Sequence, residues 1–494
     1  MEPAPAFLTT TDPVSQGIVA VLLIALFGAL VIETAHRVLI ALGAVAVLFL
    51  VTYFTPYHLM PFERVAHALD LNVLALLTAM MALVGVFRTS GVLERLARST
   101  LARAGGDPRR LLTIIIWSTG VASAFLDNVT TVVFLTPLSI AFASQYGLRA
   151  RVFLLPMVMA SNIGGTATLI GDPPNILIGS ATGLSFTQFL VTLSLPCVAL
   201  LAWLDLFAGR VYRADLASAR ATRANVAPPP ITEPLALDRT LARGLALISL
   251  GILVGFFTHH ITHMPVAIPA TIGAALALAL QDWRYLRVSK PTHEERIHGI
   301  LEITERDIEW PTIAFFAMLF MLVGSAVDTG LIGRAASGLQ AGIAGMESGL
   351  GLGQQGAVLA AALLILVVSA VMSALVDNIP FVAVSIPIVA QLVSSMQGPT
   401  EVLWWSLSLG ACLGGNATVI GASANVTATG LAERAGERIS FRDFAAFGLP
   451  VASVSIALSA VVLSLMTFAS ALVEDAFSLA AALLFLALRR RKGA

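Results

Sequence analysis

The chain has 494 residues, of which 57% are hydrophobic and only 12% charged, and its mean hydropathy is +0.88. A soluble domain carries about 25% charged residues, so this composition excludes a water-soluble enzyme. The 29 basic and 29 acidic residues cancel and leave no basic surface for nucleic acid. We therefore expect an all-α polytopic membrane protein that binds lipid and no nucleic acid.

Apolar runs long enough to cross a bilayer, which takes about 20 residues, follow one another along the chain. They cover residues 14–34, 36–54, 72–88, 111–142, 152–181, 186–208, 244–258, 264–282, 310–327, 355–397, 402–431, 444–473 and 476–488.

Two of these runs, 111–142 and 355–397, are too long for one span, and each has a polar break, near Asp127 and Asp377. We interpret both as re-entrant hairpins, which a membrane protein tolerates where protein or a water-filled cavity satisfies the backbone. The prediction is then about eleven crossings and two hairpins.

Arginines predict the orientation, because positive residues mark the cytoplasmic side. Loop 88–110 holds six arginines, the linker 209–243 is also arginine-rich, and the chain ends in a basic tail after 488. With these segments inside, the N-terminus and the 328–354 loop lie outside. We expect a multi-pass protein of the cell (inner) membrane with a cytoplasmic C-terminus.

The chain also repeats itself. The segment 123–129 recurs as 373–379, and 165–175 recurs as 415–425, both at an offset of 250 residues. The counterpart of the arginine-rich loop 88–110, residues 327–360, has only Arg334. The two loops therefore lie on opposite membrane faces, and the repeats have inverted topology, which is typical of secondary transporters.

This repeat divides the chain into five predicted parts, and each repeat contains one re-entrant hairpin and one broken transmembrane helix. The parts are an extra N-terminal helix (1–34), the first inverted repeat (35–208), a cytoplasmic linker (209–243), the second inverted repeat (244–473), and a C-terminal helix with a basic tail (474–494).

Polar residues interrupt the apolar runs at the hairpin tips and at the glycine-rich breaks, where unwound backbone and neutral oxygens can bind ions. We predict the following residues as substrate or ion ligands. They are Asp127, Asn128, Thr130, Asn162, Thr166, Thr168, Asp172, Asn175, Asp377, Asn378, Asn416, Thr418, Ser423 and Asn425, with Asp127, Asn128, Asp377 and Asn378 as sodium candidates.

Three of these candidates are carboxylates at membrane depth, where a charge costs at least ~2.5–3.5 kcal/mol. Asp127 and Asp377 are either ion ligands or caps that accept backbone amides at the hairpin tips. The repeat counterpart of Asp172 is Ala422, so the fold does not require an acid there. The polar breaks contain no Lys or Arg, and an unpaired buried carboxyl suits a proton carrier.

Two other polar groups carry weaker signals. His259, His260 and His263 have a spacing compatible with zinc, but a solvated turn is the favoured interpretation. Glu33, His36 and Arg37 lie between two spans, and we interpret them as an interfacial polar cluster.

The segments 123–131, 162–175 and 414–425 resemble the pigmentation P-protein branch of the ion transporter superfamily. That superfamily also holds arsenite permeases, NhaD-type sodium/proton antiporters and citrate and dicarboxylate carriers. The resemblance implies hairpin and broken-helix tips that frame the substrate, a homodimer and elevator-like motion. Dicarboxylate carriers typically have Ser-Asn-Thr at these tips, whereas Asp127-Asn128-Val129 and Asp377-Asn378-Ile379 stand here.

We therefore predict a secondary active ion transporter, not an enzyme, that works by alternating access. Proton-coupled sodium exchange is the first hypothesis, with Na+ and/or H+ as coupling ions and no other cofactor. A sodium- or proton-coupled carrier of an anion (carboxylate, oxyanion or arsenite) is the alternative, and a passive anion channel is a third.

Overall fold

The computed structural model describes residues 12–32, 35–92, 95, 99, 103–222, 238–288, 304–350 and 353–468. Within these ranges the secondary structure is helical, without strands. The first half contains α1 (Pro13–Ile32), α2 (Arg37–Phe54), α3 (Val65–Ala68), α4 (Leu71–Thr89), α5 (Pro108–Ser123), α6 (Asn128–Gln145), α7 (Arg151–Thr166), α8 (Pro173–Thr182), α9 (Phe186–Val211) and α10 (Arg213–Thr222).

The second half repeats this order. It contains α11 (Arg239–Thr262), α12 (Ala267–Val288), α13 (Trp310–Asp328), α14 (Leu331–Leu350), α15 (Gln354–Leu375), α16 (Asn378–Ser395), α17 (Val402–Gly414), α18 (Ser423–Arg434) and α19 (Phe441–Phe468). Ten of the described helices are long and apolar enough to cross a membrane, namely α1, α2, α4, α6, α9, α11, α13, α15, α16 and α19.

Two pairs of shorter helices form the predicted broken crossings. Helix α7 ends at Thr166 and α8 begins at Pro173, while α17 ends at Gly414 and α18 begins at Ser423. Glycine pairs weaken the helices at these points, and proline fits the first turn of a new helix. The chain therefore unwinds in the middle of each crossing, as the sequence predicts.

The two hairpins, α5–α6 and α15–α16, turn inside the protein. Asn128 and Asn378, the first residues of α6 and α16, are 3% and 2% exposed, whereas a full crossing would place its turn at the surface. Each half then has five crossings and one re-entrant hairpin within the described residues. The crossings are α1, α2, α4, α7–α8 and α9 in the first half and α11, α12, α13, α17–α18 and α19 in the second. Helix α12 is not among the ten helices above, but its 22 residues are long enough to cross. Since five is odd, the second half begins on the opposite face, and the repeats are inverted. The eleventh predicted crossing, 476–488, lies outside the described residues.

Helix packing follows the repeat. Helix α5 packs on α7 as α15 packs on α17, and α9 packs on α7 as α19 packs on α17. Helices of different halves also pack on each other. Helix α18 of the second half packs on α6 of the first, and α8 of the first half packs on α16 of the second. The broken helices α7 and α17 meet at the centre. This packing between the halves brings the two hairpin tips and the two breaks into one region.

One element differs from the sequence-based expectation. Residues 328–354 were expected to be an external loop, but α14 occupies most of this segment. Its glycines lower helix propensity, yet Ile332, Ala336 and Ile343 are buried at a helical spacing. The helix packs on α16, and this packing outweighs the low propensity.

Close contact between α5 and α7 gives a stability prediction. A Cβ added at Gly164 would lie 2.6 Å from the carbonyl carbon of Gly120, on backbone that no rotamer change can move. We expect Gly164→Ala to lower the free energy of unfolding by about 1–3 kcal/mol, as overpacking does. Thermal unfolding in detergent measures this. Gly251→Ala is the control, since nothing lies within 4 Å of its added Cβ, and its stability should match or exceed that of wild type.

Candidate functional site

Two asparagine side chains hold the two breaks, the unwound segments 167–172 and 415–422, in the same way. Asn175 Nδ2 donates to the carbonyls of Thr166 and Thr168 at 3.0 and 2.9 Å. Asn425 Nδ2 donates to the carbonyls of Gly415 and Thr418, both at 2.8 Å. Both side chains are fully buried. These amides replace the helical partners that the unwound carbonyls have lost.

Threonines tie each break to its hairpin. Thr168 Oγ1 donates to the carbonyl of Ala124, and Thr418 Oγ1 donates to the carbonyl of Ala374. Each hydroxyl also accepts the backbone N–H three residues later, at 3.2 Å in the first half and 3.1 Å in the second. The 250-residue repeat is therefore a repeat of hydrogen bonds as well as of sequence, and each hairpin tip is fixed to its break.

A chain of amides joins the halves. Asn128 Nδ2 donates to Asn162 Oδ1 at 3.4 Å. Asn162 Nδ2 in turn donates to Asn416 Oδ1 and Asn425 Oδ1, both at 2.9 Å. The first hairpin tip, the first break and the second break thus form one buried network. Two polar atoms of this network, Asn128 Oδ1 and Asn416 Nδ2, are buried without a partner among the described residues.

The tips surround a cavity that takes residues from both halves. Its lining includes Asp127, Asn128, Val129, Thr130, Asp172, Pro173, Asn378, Ile379 and Ser423 from the hairpins and breaks, and Arg37, Leu77, Met80, Met81, Ile170, Ile176, Asp307, Glu309, Thr312 and Phe316 from the rest of the wall. Nine of these nineteen residues are apolar and ten are polar or charged, so the cavity combines apolar walls with convergent polar groups, as small-molecule sites do.

Asp172 is the most deeply buried acid of this cavity. The residue is 1% exposed, and Asn378 Nδ2 donates to its Oδ1 at 3.4 Å. Its Oδ2 is buried and accepts no hydrogen bond from a nitrogen or oxygen donor among the described residues, although the Cys412 thiol, a weak donor, lies beside the carboxyl group. Although Asp172 occupies the N-cap position of α8, it makes no side-chain capping bond. Its carboxyl group is therefore available to a proton or a cation.

Asp127 and Asp377 occupy equivalent positions but have different partners. Asp127 accepts the backbone N–H of Thr130 at 2.9 Å and also accepts the Thr130 hydroxyl, which is the capping arrangement. Pro380 stands at the position equivalent to Thr130 and has no N–H. Asp377 accepts the N–H of Ile379 at 3.3 Å and the Ser423 hydroxyl. Both acids thus cap a helix, and Asp377 in addition connects hairpin and break.

Arg37, from the start of α2, reaches this site. Its Nη1 lies 3.6 Å from Asp377 Oδ2 and donates to Ser423 Oγ at 3.1 Å. Arg37, interpreted from the sequence as part of an interfacial polar cluster, thus also reaches the candidate site and places a cation beside Asp377, although the polar breaks themselves contain no Lys or Arg. The one sequence signal for this contact is an arginine between two apolar runs, and no motif links it to residues almost 400 positions later.

The fourteen predicted ligands fall into two groups. Six line the cavity, namely Asp127, Asn128, Thr130, Asp172, Asn378 and Ser423, and Asp377 contacts two lining residues. The other seven do not line it. They are Asn162, Thr166, Thr168, Asn175, Asn416, Thr418 and Asn425, whose side chains bond within and between the breaks. Ion binding by any of the fourteen stays a prediction.

One member of the histidine cluster 259–263 has a hydrogen-bond partner. His259 Nε2 accepts the backbone N–H of Phe186 at 3.3 Å and thereby satisfies an amide at the start of α9 that has no partner within the helix.

Inverted repeats, buried hairpin tips and a polar cavity between them define a multi-pass membrane transporter. The sequence profile of a family described as "Citrate transporter" matches residues 27–410, which is more than half of the chain, and the protein belongs to this family. An uncharacterized transporter of Mycobacterium tuberculosis is 38% identical over 416 residues, which cover 81% of this chain and 87% of that protein.

Two further similarities agree with this assignment. The human P protein is 29% identical over 514 residues, covering 89% of this chain and 58% of the P protein. The crystal structure of the YdaH transporter of Alcanivorax borkumensis, described as having an unusual topology, superposes with a TM-score of 0.56. That match covers 92% of this chain and 98% of YdaH at 17% identity, so it supports the fold alone.

Proposed function

We propose that the protein exchanges sodium for protons across the membrane. The observation that carries this proposal is the unpaired, buried Oδ2 of Asp172 in the cavity wall. A buried carboxylate without a cation is costly and takes up a proton or a metal ion instead. It can therefore alternate between two bound cations, which is the chemistry that exchange requires.

Neighbouring oxygens support sodium as the second cation. Asn128 Oδ1 is buried without a donor among the described residues, and Asp127, Asn378 and Ser423 lie in the same wall. Carboxylate, amide and hydroxyl oxygens suit hard cations. In this proposal Asp127, Asn128, Asp377 and Asn378 are the sodium candidates, Asp172 carries the proton, and no further cofactor takes part.

We assign the opening of the cavity to the membrane face where α2 and α13 begin, because Arg37 and Glu309 of its wall are there and their side chains are 30% and 47% exposed. Arg88, at the start of loop 88–110, pairs with Asp307 at 2.8 Å on this face. Because six arginines place that loop inside, we assign the open face to the cytoplasm, the N-terminus to the outside and the protein to the inner membrane. Elevator-like alternating access in a homodimer completes the proposal.

Liposomes that contain the purified protein and an internal pH dye test this function. An inward sodium gradient is expected to alkalinise the lumen, because each sodium ion that enters is exchanged for protons that leave. Protein-free liposomes and a potassium gradient are the controls. A lumen that stays at constant pH under sodium, but responds to a citrate gradient, would contradict sodium exchange.

A second candidate function, a sodium- or proton-coupled anion carrier, is favoured by Arg37. Its guanidinium lies in the cavity wall and has the fork geometry that binds carboxylates. The same liposomes distinguish the two functions. An anion carrier moves protons only when citrate or another anion is present, whereas current without coupling to protons or sodium would indicate a passive channel.

A further inference from the structure

Arg37 contacts residues of two distant parts of the chain. On one side its Nη2 donates to Thr312 Oγ1 at 2.7 Å and lies 3.8 Å from Glu309 Oε2. On the other side its Nη1 donates to Ser423 Oγ and faces Asp377. A single guanidinium thus joins the start of α13 to the second hairpin tip and the start of α18.

These two parts also touch through their helices. Helices α2 and α13 pack directly on each other, and α13 packs in turn on α16, the helix that begins at the second tip. Asp377 and Ser423 hold the second tip and the second break to one another through their own hydrogen bond. Arg37 therefore adds a polar contact, at the tip itself, between the α2–α13 pair and the second hairpin.

The described residues of the first half show no equivalent contact. Pro173 stands at the position of Ser423 and has no hydroxyl, and both carboxylate oxygens of Asp127 bond to Thr130. The arginine contact is thus a specific addition to one tip and not a consequence of the repeat.

We propose that Arg37 is a positioning residue that locks the second hairpin tip to α2 and α13 while the cation site at Asp377 is empty. A sodium ion at Asp377 repels the guanidinium and takes its carboxylate, because both cations need the same oxygen. Sodium binding therefore opens the lock. This coupling rests on the proposed function, whereas the lock itself depends only on the contacts of Arg37.

Hydrogen–deuterium exchange on the full-length protein in sodium-free buffer tests the lock. Arg37→Gln should speed exchange in peptides covering 376–380 and 421–425 by about tenfold, the effect of losing a charged hydrogen-bond network. Peptides covering 168–172 serve as the internal reference. Arg64→Gln is the matched control, because Arg64 pairs with Asp328 at the other end of α13, at 2.8 Å. Unchanged exchange at the second tip in Arg37→Gln would overturn the proposal.

Adding sodium tests the coupling separately. In wild type, sodium should raise exchange at the second tip, and in Arg37→Gln it should have no further effect. If Arg37→Gln alone speeds exchange while wild-type liposomes show no sodium-dependent proton flux, the lock stands and sodium exchange fails. If Arg37→Gln does not fold, Arg37→Lys replaces it in the test, because lysine keeps the charge but not the forked guanidinium. The exchange rate at the second tip should then rise by less than the amount expected for Arg37→Gln. A wild-type exchange rate in Arg37→Lys would contradict the lock.

Discussion

Asp172→Asn is expected to abolish sodium-driven proton flux and to leave the protein folded. The amide has the shape of the carboxyl group, and its oxygen can still accept the Asn378 bond that now reaches Oδ1. It cannot carry a proton, so exchange stops. Flux in liposomes should fall to the level of protein-free vesicles.

The same substitution should raise stability, which separates loss of function from misfolding. Oδ2 has no partner to lose among the described residues, and a neutral amide avoids the cost of a buried carboxylate. We expect the free energy of unfolding to rise by about 1–3 kcal/mol, measured by thermal unfolding in detergent at pH 8.

Asp328→Asn is the matched control for Asp172→Asn. Asp328 pairs with Arg64 at 2.8 Å and is partly exposed, and it is not part of the cavity wall. This variant should keep its proton flux and lose about 1 kcal/mol or less of stability. Sodium-dependent flux that persists in Asp172→Asn would show that another group carries the proton.

The repeat is the part of the structure that the sequence predicts best. Matching motifs at one offset gave the hairpins, the breaks and the inversion, because each motif encodes a local requirement. Gly165 and Gly171 show why: a Cβ at Gly165 would lie 2.6 Å from the Gly171 carbonyl oxygen. The counterpart pair, Gly415 and Gly421, has the same close approach at 2.5 Å. Spacing alone can identify such positions.

The repeat misleads where equivalent residues have different neighbours. Asp127 and Asp377 look alike in sequence, but Pro380 lacks the N–H that Thr130 donates to Asp127, so Asp377 caps its helix through Ile379 instead. This difference was present in the sequence. The contact between Arg37 and the site could not be predicted in this way. Arg37 lies beside Ser423, 386 residues away in the sequence, because of how α2 packs against α13. No local sequence pattern encodes that packing.

The sequence predicts the buried asparagines as ligands but does not show that they also hold the backbone of the breaks. Asn175 and Asn425 match an ion-binding composition, since amides are good ligands for cations. In the fold, however, both amide nitrogens bond to carbonyls of the breaks. Whether an asparagine faces a cavity or the backbone is decided by the path of the unwound chain, which composition does not specify.

Asn425→Ala is accordingly expected to be among the most destabilising single substitutions in the protein. It removes both bonds from Nδ2 to Gly415 and Thr418 and the bond that Oδ1 accepts from Asn162. Each buried group left without a partner costs about 1–3 kcal/mol, so we expect a loss of about 3–5 kcal/mol, together with low yield of folded protein. Thermal unfolding and size-exclusion profiles in detergent measure both effects.

An isosteric variant identifies the cause of this loss. Asn425→Asp keeps the volume but turns an oxygen toward two carbonyl oxygens, so it should be at least as unstable as Asn425→Ala. Asn72→Ala is the control, since Asn72 also bonds on both sides, to Ser180 and Ala267, but is partly exposed to solvent. Its loss should stay near 1 kcal/mol. Wild-type stability in Asn425→Asp would show that the amide fills space rather than holding the break.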